Sequence, residues 1–177
     1  MADSAFSYSI DEIKQMSQDV LKVAKQMGAS AAEAELSLSI GQNVSVRLGE
    51  TENIEYNRDK GMSVTVYFGQ QKGHASTSDL NQQAIYDTVA AACNIAKYTA
   101  QDAYCGLAEA GLMAKESLDL DLYHPWAISV EEAIAIAKTC EASARAVDAR
   151  ITNSEGVSVS TGESCFAYSN SHGFTGG

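Results

Sequence analysis

Several features that would assign the chain to a membrane or secreted class are scarce or missing in this 177-residue sequence. No run of apolar residues approaches the roughly eighteen needed for a membrane-spanning helix. Residues 1–7 have neither a basic start nor an apolar stretch, so no secretory signal peptide is expected. Proline occurs once, at Pro125. We therefore expect a cytoplasmic protein without a membrane segment.

Positive charge is also scarce. The chain has 12 Lys and Arg residues against 23 Asp and Glu residues, a formal net charge of −11. A surface this acidic repels phosphate backbones and anionic lipid headgroups. The sequence therefore predicts neither direct nucleic-acid binding nor membrane binding.

The common catalytic motifs are missing as well. A zinc peptidase site needs two histidines one helical turn apart and a carboxylate that activates water. His74, His124 and His172 are far apart in the sequence, and none belongs to an HExxH-like motif. No GxSxG nucleophile elbow and no GxGxxG phosphate loop occurs. We predict no catalytic, cofactor-binding or metal-ligating residue in this chain.

Cysteine usage indicates reduced thiols. The four cysteines are scattered without a CxxC pair, which argues against a disulfide framework or a zinc knuckle. Cys93 and Cys140 lie in alanine-rich helical stretches and are predicted to be small core residues. The remaining two are Cys105 and Cys165.

Strand patterns are concentrated in residues 43–77. Apolar and polar residues alternate over 44–48 and again over 62–68, which predicts strands with one buried face. Glycine-containing breaks at 48–51, 59–61 and 69–73 predict tight turns of an antiparallel meander. Between two of them, residues 52–56 form a short acidic strand suited to a sheet edge. Before the meander, 34–40 predicts another strand; residues 41–43 are either a three-residue turn or a bulge within one bent strand.

Three helices are predicted around this sheet. Capping boxes at Ser9–Glu12 and Ser129–Glu132 begin two of them, which run to about residues 27 and 147. The third spans about 80–98 and carries only two charged residues, Asp87 and Lys97. It is either covered on more than one side or an exposed helix rich in alanine and amides. The predicted buried stripe of the last helix is Val130, Ala133, Ile134, Ala137, Cys140, Ala144 and Val147.

The C-terminal part predicts an unfinished structure. Residues 104–128 show no period, which indicates a functional loop or a segment laid over a neighbour. After Arg150, strand signals with breaks at Gly156 and Gly162 predict a hairpin whose apolar face nothing later in the sequence could cover. We therefore expect the front part of a longer polypeptide, with an amino-terminal domain over residues 1–148 and the truncated start of a β-rich domain over 149–177. The predicted fold class is α+β, an antiparallel meander covered by about three helices and ending in a strand hairpin.

Four stretches together resemble a known family. They are KGHASTSDL at 72–80, DLDLYHPW at 119–126, RITNSEG at 150–156 and SNSHGF at 169–174. In this order and spacing they are similar to the amino-terminal part of the PmbA (TldE) branch of the TldD/PmbA family. Members of that family are more than twice as long as this chain, which agrees with a truncated sequence.

The resemblance implies a function that the residues alone do not. TldD-like and PmbA-like subunits pair into a bacterial cytosolic zinc metallopeptidase that degrades unfolded or flexible peptides, including a peptide-antibiotic precursor and an antitoxin. The zinc ligands lie in an HExxxH helix of the TldD-like partner, so the resemblance carries no catalytic residue onto this sequence. It implies a non-catalytic subunit with a TldD-like partner, peptide substrates and an oligomeric assembly. The alternative is a non-enzymatic binding module that modulates DNA gyrase or an antitoxin.

Overall fold

The computed structural model describes residues 6–177, and the first five residues covered by the signal-peptide expectation lie outside it. Two helices begin as their sequence signals predict. The Ser9 hydroxyl accepts the Glu12 N–H while the Glu12 carboxylate accepts the Ser9 N–H, and Ser129 and Glu132 form the same reciprocal cap. The remaining long helix is capped by the side chain of Asn81. The helices are α1 (Ile10–Gln26), α2 (Gln82–Tyr98) and α3 (Val130–Arg145), with a short 3₁₀ helix at Ala110–Leu112.

Five strands occur among residues 6–177, and they form one sheet in the order β3-β2-β1-β4-β5. The connections β1–β2 and β2–β3 are two-residue turns, so sequence neighbours lie side by side in the sheet. This antiparallel sheet with three helices confirms the predicted α+β class. The strands are β1 (Ala31–Arg47), β2 (Glu50–Phe68), β3 (Gln71–Thr77), β4 (Val157–Asn170) and β5 (Thr175–Gly176).

The first of two compact units contains residues 6–38, Asp59–Leu120 and Ser164–Gly177. In it α2 packs on β3 and against α1. Gly73 makes this packing possible, because a Cβ atom there would lie 2.0 Å from the carbonyl oxygen of Ala92. The apolar core of this unit includes Ile13, Val20, Leu36, Leu38, Met62, Val64, Val66, Val89 and Ala92.

The second unit contains Ser39–Arg58 and Asp121–Glu163. Its buried apolar side chains are few and small: Val44 and Val46 of β1, and Ala133 and Ala137 of α3. One charged residue, Glu141, is buried with them on the next turn of α3. This core has little apolar surface, so polar contacts carry more of its stability.

Several predicted turns are wrong because the strands are longer than expected. The turns predicted at 59–61 and at Gly162 do not occur, since these residues lie inside β2 and β4. At residues 41–43, where the sequence allowed either a turn or one bent strand, the single strand forms, because β1 continues through Gly41. Of the break at 69–73, only Gly69 and Gln70 form a turn. Glycine is tolerated inside a strand where a backbone approaches closely, as at Gly73, so glycine alone does not locate a turn.

Predicted burial is confirmed for one cysteine and wrong for the other. Cys93 is buried on α2, whereas Cys140 on α3 is exposed because Ala133, Ala137 and Glu141 form the buried line of that helix. Ala144 and Val147, predicted to be buried, are exposed as well. The predicted long irregular connection over 104–128 is confirmed, with the 3₁₀ turn as its helical part. Within the described residues no helix is both long and apolar enough to span a membrane.

Candidate functional site

The three histidines each contact a different partner. Nδ1 of His74 lies 3.1 Å from the Thr65 hydroxyl on the neighbouring strand. Nε2 of His124 lies 2.6 Å from the carbonyl oxygen of Asp121 in the same loop. Nε2 of His172 lies 3.1 Å from the carbonyl oxygen of Ala108. A ring nitrogen that faces a carbonyl oxygen must carry the proton, which leaves only Nδ1 as a metal-binding atom in the last two.

No grouping of metal-binding side chains is formed over residues 6–177. Within that range, no three His, Cys, Asp or Glu side chains come close enough to hold one ion. A tetrahedral zinc site needs three or four such ligands. The residues described here therefore do not fit a zinc ion.

In the first unit, one carboxylate on β1 bonds to tyrosines on two other strands, β2 and β4. Glu33 on β1 accepts hydrogen bonds from the hydroxyls of Tyr67 on β2, at 2.9 Å, and Tyr168 on β4, at 2.8 Å. Burial, and then the hydrogen bond to Glu33, raise the pKa of Tyr67 well above its ordinary value of 10. The same two causes raise the pKa of Tyr168. Both tyrosines are thus held as neutral hydrogen-bond donors, which suits a structural brace across three strands and not a general base.

The turn between β4 and β5 is held by its own side chains. The Asn170 carboxamide oxygen accepts the N–H groups of His172, at 3.0 Å, and Phe174, at 3.4 Å. At the preceding residue, the buried Ser169 hydroxyl is hydrogen-bonded to the Ser17 hydroxyl, at 2.6 Å, and to the Thr175 hydroxyl, at 2.9 Å. The three hydroxyls of Ser17, Ser169 and Thr175 thus satisfy one another, whereas the Asn170 side-chain nitrogen is buried without a hydrogen-bond partner among residues 6–177.

The second unit has a buried carboxylate that holds a β-turn. Glu141 is 2% exposed, and its two oxygens accept the backbone N–H groups of Leu48, at 2.8 Å, and Gly49, at 2.7 Å. Hydrogen bonding, first from the Ser154 side chain and then from these two N–H groups, lowers the pKa of Glu141 although burial opposes the shift. Nearby Arg145 acts in the same direction. The carboxylate therefore stays ionised and ties α3 to the β1–β2 turn.

The segment before β4 packs on the same end of β1. The Arg47 Nε donates to the Ser154 carbonyl oxygen at 3.0 Å, and the Ser154 hydroxyl accepts the Gly156 N–H at 2.9 Å. Gly156 has φ +96°, and a Cβ there would lie 2.7 Å from the Val46 carbonyl oxygen. Only glycine combines this backbone angle with so close an approach.

One edge of the sheet in the second unit has no strand beside it. Pairing between β2 and β3 runs from Met62–Thr77 to Phe68–Gln71, so Glu50–Arg58 lies beyond the end of β3. Over residues 6–177, β2 has no other neighbour on that side. Within this segment, residues Glu50–Asn57 are all exposed, including Ile54 and Tyr56. A strand edge with unpaired N–H and C=O groups is a place where another chain can add a strand.

Two family models match this chain. "PmbA/TldA metallopeptidase domain 1" matches residues 32–96, and "PmbA/TldA metallopeptidase central domain" matches residues 123–177. Together they cover more than half of the sequence. The chain belongs to the PmbA/TldD metallopeptidase family. Residues 97–122 lie between the two matched ranges, and the domain boundary predicted at 148/149 stays a prediction.

Relatives show how much of a PmbA-like protein is present. A metalloprotease PmbA homolog of Haemophilus influenzae is 44% identical over 92% of this chain, and the match covers 36% of that relative. A Bacteroides thetaiotaomicron structure described as a candidate modulator of DNA gyrase is similar with a TM-score of 0.81 and 25% identity, over 94% of this chain and 38% of that one. TldE of Thermococcus kodakarensis, at 16% identity and a TM-score of 0.70, shares the fold over 91% of this chain and 37% of its own. The chain thus spans little more than a third of its relatives.

The stretches that carried the resemblance have mainly structural roles in this PmbA-like chain. Residues 72–80 contain Gly73 under α2, 150–156 contain the Ser154 and Gly156 contacts, and 169–174 contain the Asn170 turn. The fourth stretch, 119–126, is exposed throughout. Sequence reasoning missed Glu33 and Glu141. A signal for Glu141 was present, because it continues the four-residue spacing of Ala133 and Ala137 on a helix whose apolar stripe it interrupts.

Proposed function

We propose that this chain is the front part of a PmbA-like subunit of a heteromeric zinc metallopeptidase that acts in the cytoplasm on unfolded or flexible peptides. The observation that carries the proposal is the 44% identity to a metalloprotease PmbA homolog over nearly the whole chain. The substrates expected from the family resemblance are a peptide-antibiotic precursor and an antitoxin.

The chain's role in such an enzyme is structural and not catalytic. Each of its three histidines lies at hydrogen-bond distance from a different oxygen atom, and the residues described do not fit a zinc ion. Zinc would polarise the scissile carbonyl and activate water when bound by the partner subunit. We therefore assign no step of that chemistry to the residues that the structure describes.

Uncovered apolar side chains support a subunit role. On α2, Tyr86, Ile95 and Tyr98 are exposed, although the helix carries almost no charge. The irregular connection of the same unit adds Tyr104, Leu112 and Leu118. Exposed apolar side chains that form a patch are typical of a protein–protein contact. We expect the TldD-like partner, or the remainder of the full-length protein, to cover it.

Co-expression tests this proposal. The full-length protein that contains this chain is produced with and without a TldD-like subunit, purified through a tag on one of them, and offered an unstructured peptide. We expect the two proteins to purify together and to cleave the peptide only in combination. A metal chelator should stop cleavage, and added zinc should restore it.

The result that would overturn the proposal is equally clear. If the full-length protein emerges alone and no TldD-like partner yields zinc-dependent cleavage, the subunit role is wrong. Zinc-dependent cleavage by the full-length protein without the partner would also contradict a non-catalytic role.

A second candidate function is a non-enzymatic module that modulates DNA gyrase or an antitoxin. The observation that favours it is the description of the Bacteroides thetaiotaomicron structure, which shares 25% identity with this chain. Direct binding of full-length protein to purified gyrase, with no cleavage in the presence of the partner, would support this alternative. The acidic charge of −11 makes contact with a protein surface a better expectation than contact with the DNA.

A further inference from the structure

The segment Glu50–Asn57 of β2, termed here the β2 edge, offers backbone groups to a further strand. It lies beyond the end of β3, and over residues 6–177 no other strand pairs with that side of β2. In an antiparallel ladder every second residue turns both its N–H and its C=O toward the same neighbour. The exposed segment therefore presents roughly four such pairs of groups to its open side. An added strand can satisfy all of them.

The side chains of the β2 edge select the charge of that strand. Its charged residues are Glu50, Glu52 and Glu55, which are all acidic. Asn53 Nδ2 donates to Glu55 at 2.7 Å, so we assign the recognition of charge to the other two carboxylates. Opposite charges in facing positions stabilise a strand pair, and like charges destabilise it. A basic strand therefore fits the β2 edge, whereas an acidic one, or a second copy of the same edge, does not.

The alternation of the strand gives the apolar part of the partner as well. Successive side chains point to opposite faces, so Glu50, Glu52, Ile54 and Tyr56 share one face. The contact between Asn53 and Glu55, two positions apart, agrees with this assignment. Ile54 is 45% exposed and Tyr56 is 69% exposed. An edge that served only to prevent pairing would not need two exposed apolar side chains beside its carboxylates.

We propose that the β2 edge binds an extended peptide segment in which two apolar side chains precede two basic ones, at every second position. The peptide runs antiparallel to β2, as β3 does along the other part of that strand. Its apolar side chains lie opposite Tyr56 and Ile54, and its basic side chains lie opposite Glu52 and Glu50. The inference rests on the proposed function, because the segment belongs to the unfolded or flexible peptides on which the enzyme acts. The edge binds the peptide and takes no part in its cleavage.

Peptide binding to the full-length protein that contains this chain tests the proposal. The probe is the fluorescein-labelled peptide Leu-Ser-Val-Thr-Lys-Thr-Lys, termed the lysine peptide, and fluorescence anisotropy measures its saturable binding. A glutamate peptide, with Glu at both Lys positions, should bind about tenfold more weakly because two attractive pairs become repulsive.

A methylated peptide separates strand pairing from attraction by net charge. It carries methyl groups on the backbone nitrogens of its central Thr and the preceding Val. One of any two adjacent N–H groups faces β2, so the two methyl groups interrupt the ladder while both lysines remain. We expect the methylated peptide to bind about tenfold more weakly than the lysine peptide.

Charge exchange on the protein shows which surface binds the peptide. E50K/E52K should weaken binding of the lysine peptide about tenfold and strengthen binding of the glutamate peptide. The matched control is E109K/E116K, which makes the same change in net charge at two exposed positions of the irregular connection. This control should alter the binding of either peptide much less.

Hydrogen exchange locates the contact without any substitution. The lysine peptide should slow the exchange of backbone amides in Glu50–Asn57 at every second residue, because those N–H groups become donors to the added strand. The methylated peptide at the same concentration should slow them less.

Cleavage distinguishes this inference from the proposed function. With the TldD-like subunit present, E50K/E52K should raise KM for an unstructured substrate that contains the lysine peptide, relative to E109K/E116K. Binding at the β2 edge without cleavage by the two subunits together would contradict the proposed function and support the docking site. Zinc-dependent cleavage without binding at the β2 edge would contradict the docking site alone.

Three results would overturn the proposal. The first is no saturable binding of the lysine peptide to the full-length protein. The second is equal weakening by E50K/E52K and E109K/E116K, since the attraction would then depend on net charge and not on this strand. The third is slowed exchange that is confined to segments outside residues 50–57.

Discussion

Glu141 and Gly49 are far apart in the sequence, yet the buried carboxylate accepts the Gly49 backbone N–H at 2.7 Å. The second oxygen does the same for Leu48 at 2.8 Å. A helix and a β-turn are joined by one side chain in a unit with few buried apolar residues. This contact leads to the first two predictions.

Removing the Glu141 carboxylate should destabilise the second unit. Glu141→Ala leaves two turn N–H groups and the Ser154 hydroxyl without their acceptor, and an unsatisfied buried donor is costly. Glu141→Gln keeps one acceptor oxygen, so its loss of melting temperature should be smaller. Thermal unfolding followed by circular dichroism measures both. Glu131→Gln, on the exposed first turn of α3, is the control. A melting temperature for Glu141→Ala equal to that of the control would show that the contact contributes nothing.

The contribution of Glu141 should depend on pH in one direction. The pKa of Glu141 is lowered in the folded chain from its ordinary value of 4.5, first by the Ser154 hydrogen bond. A lowered folded pKa means that the stabilisation is complete above pH 4.5 and is lost as pH falls through the folded value. The difference in melting temperature between the unmodified chain and Glu141→Gln should therefore shrink on acidification below pH 4.5. A difference that grows on acidification would contradict this sign.

Adding one methyl group at Gly73 should separate α2 from β3. The new Cβ would lie 2.0 Å from the Ala92 carbonyl oxygen and 2.6 Å from the Ala96 nitrogen, both backbone atoms that cannot rotate away. We expect Gly73→Ala to cost about 3 kcal/mol in the free energy of unfolding, at the upper end of the range for overpacking. Chemical denaturation measures it. Gly111→Ala has nothing within 4 Å of the new atom, so it should change stability little. Similar values for the two variants would mean that α2 shifts at low cost.

A substitution in the β1–β2 turn should stabilise the chain. Leu48 and Gly49 are the two connecting residues, with φ of +51° and +81°. Asparagine and glycine are preferred at two such positions because leucine is strained at positive φ. Leu48→Asn should therefore raise the free energy of unfolding by about 0.5–1 kcal/mol. The same change at Leu112, which is exposed but has no positive φ, should not. Lower stability in Leu48→Asn would refute the strain argument.

Tyr67 and Tyr168, which both donate to Glu33, should lose their protons at a higher pH than ordinary tyrosines. Burial and the hydrogen bonds to Glu33 raise the pKa of both Tyr67 and Tyr168 above 10. The folded chain thus holds these protons after the unfolded chain has released them, so stability is complete below pH 10 and falls as pH rises above it. Alkaline titration followed by tyrosinate absorbance should show two tyrosines that ionise above the rest. Glu33→Gln should lower the pKa of both. Glu163→Gln, which removes the carboxylate beside Tyr123, is the control.

Local signals in the sequence were dependable where one segment contains the whole interaction. Both capping boxes are confirmed, because each cap bonds residues three positions apart. The alternation is confirmed over 44–47 and 62–66 for the same reason, since neighbouring side chains define the two faces of a strand. It fails at the end of each run, because Leu48 is exposed in the β1–β2 turn and Tyr67 is buried where Phe68 was expected to be. The start of α2 was predicted near residue 80, whereas the helix begins at Gln82 and Asn81 provides the cap.

Glycine was the least informative residue. The turn at Gly69 is confirmed, and Gly69 has positive φ, as does Gly28 just after the end of α1. Gly61 and Gly162 lie inside strands, where sequence patterns predicted breaks, and Gly41 lies inside β1, where the sequence left a turn and a bent strand open. A turn and a strand interior can carry the same residue, and only the neighbouring backbone decides which one forms.

The sequence by itself determined the helices, the alternating faces of the strands, the α+β class and the family, because each depends on short-range patterns or on residues compared one by one. Only the tertiary structure decided that Glu141 holds the turn at Leu48 and Gly49, and that Glu33 joins Tyr67 and Tyr168. These relationships join residues that are distant in the chain. Their energies depend on burial and on distances of about 3 Å, which no local pattern encodes.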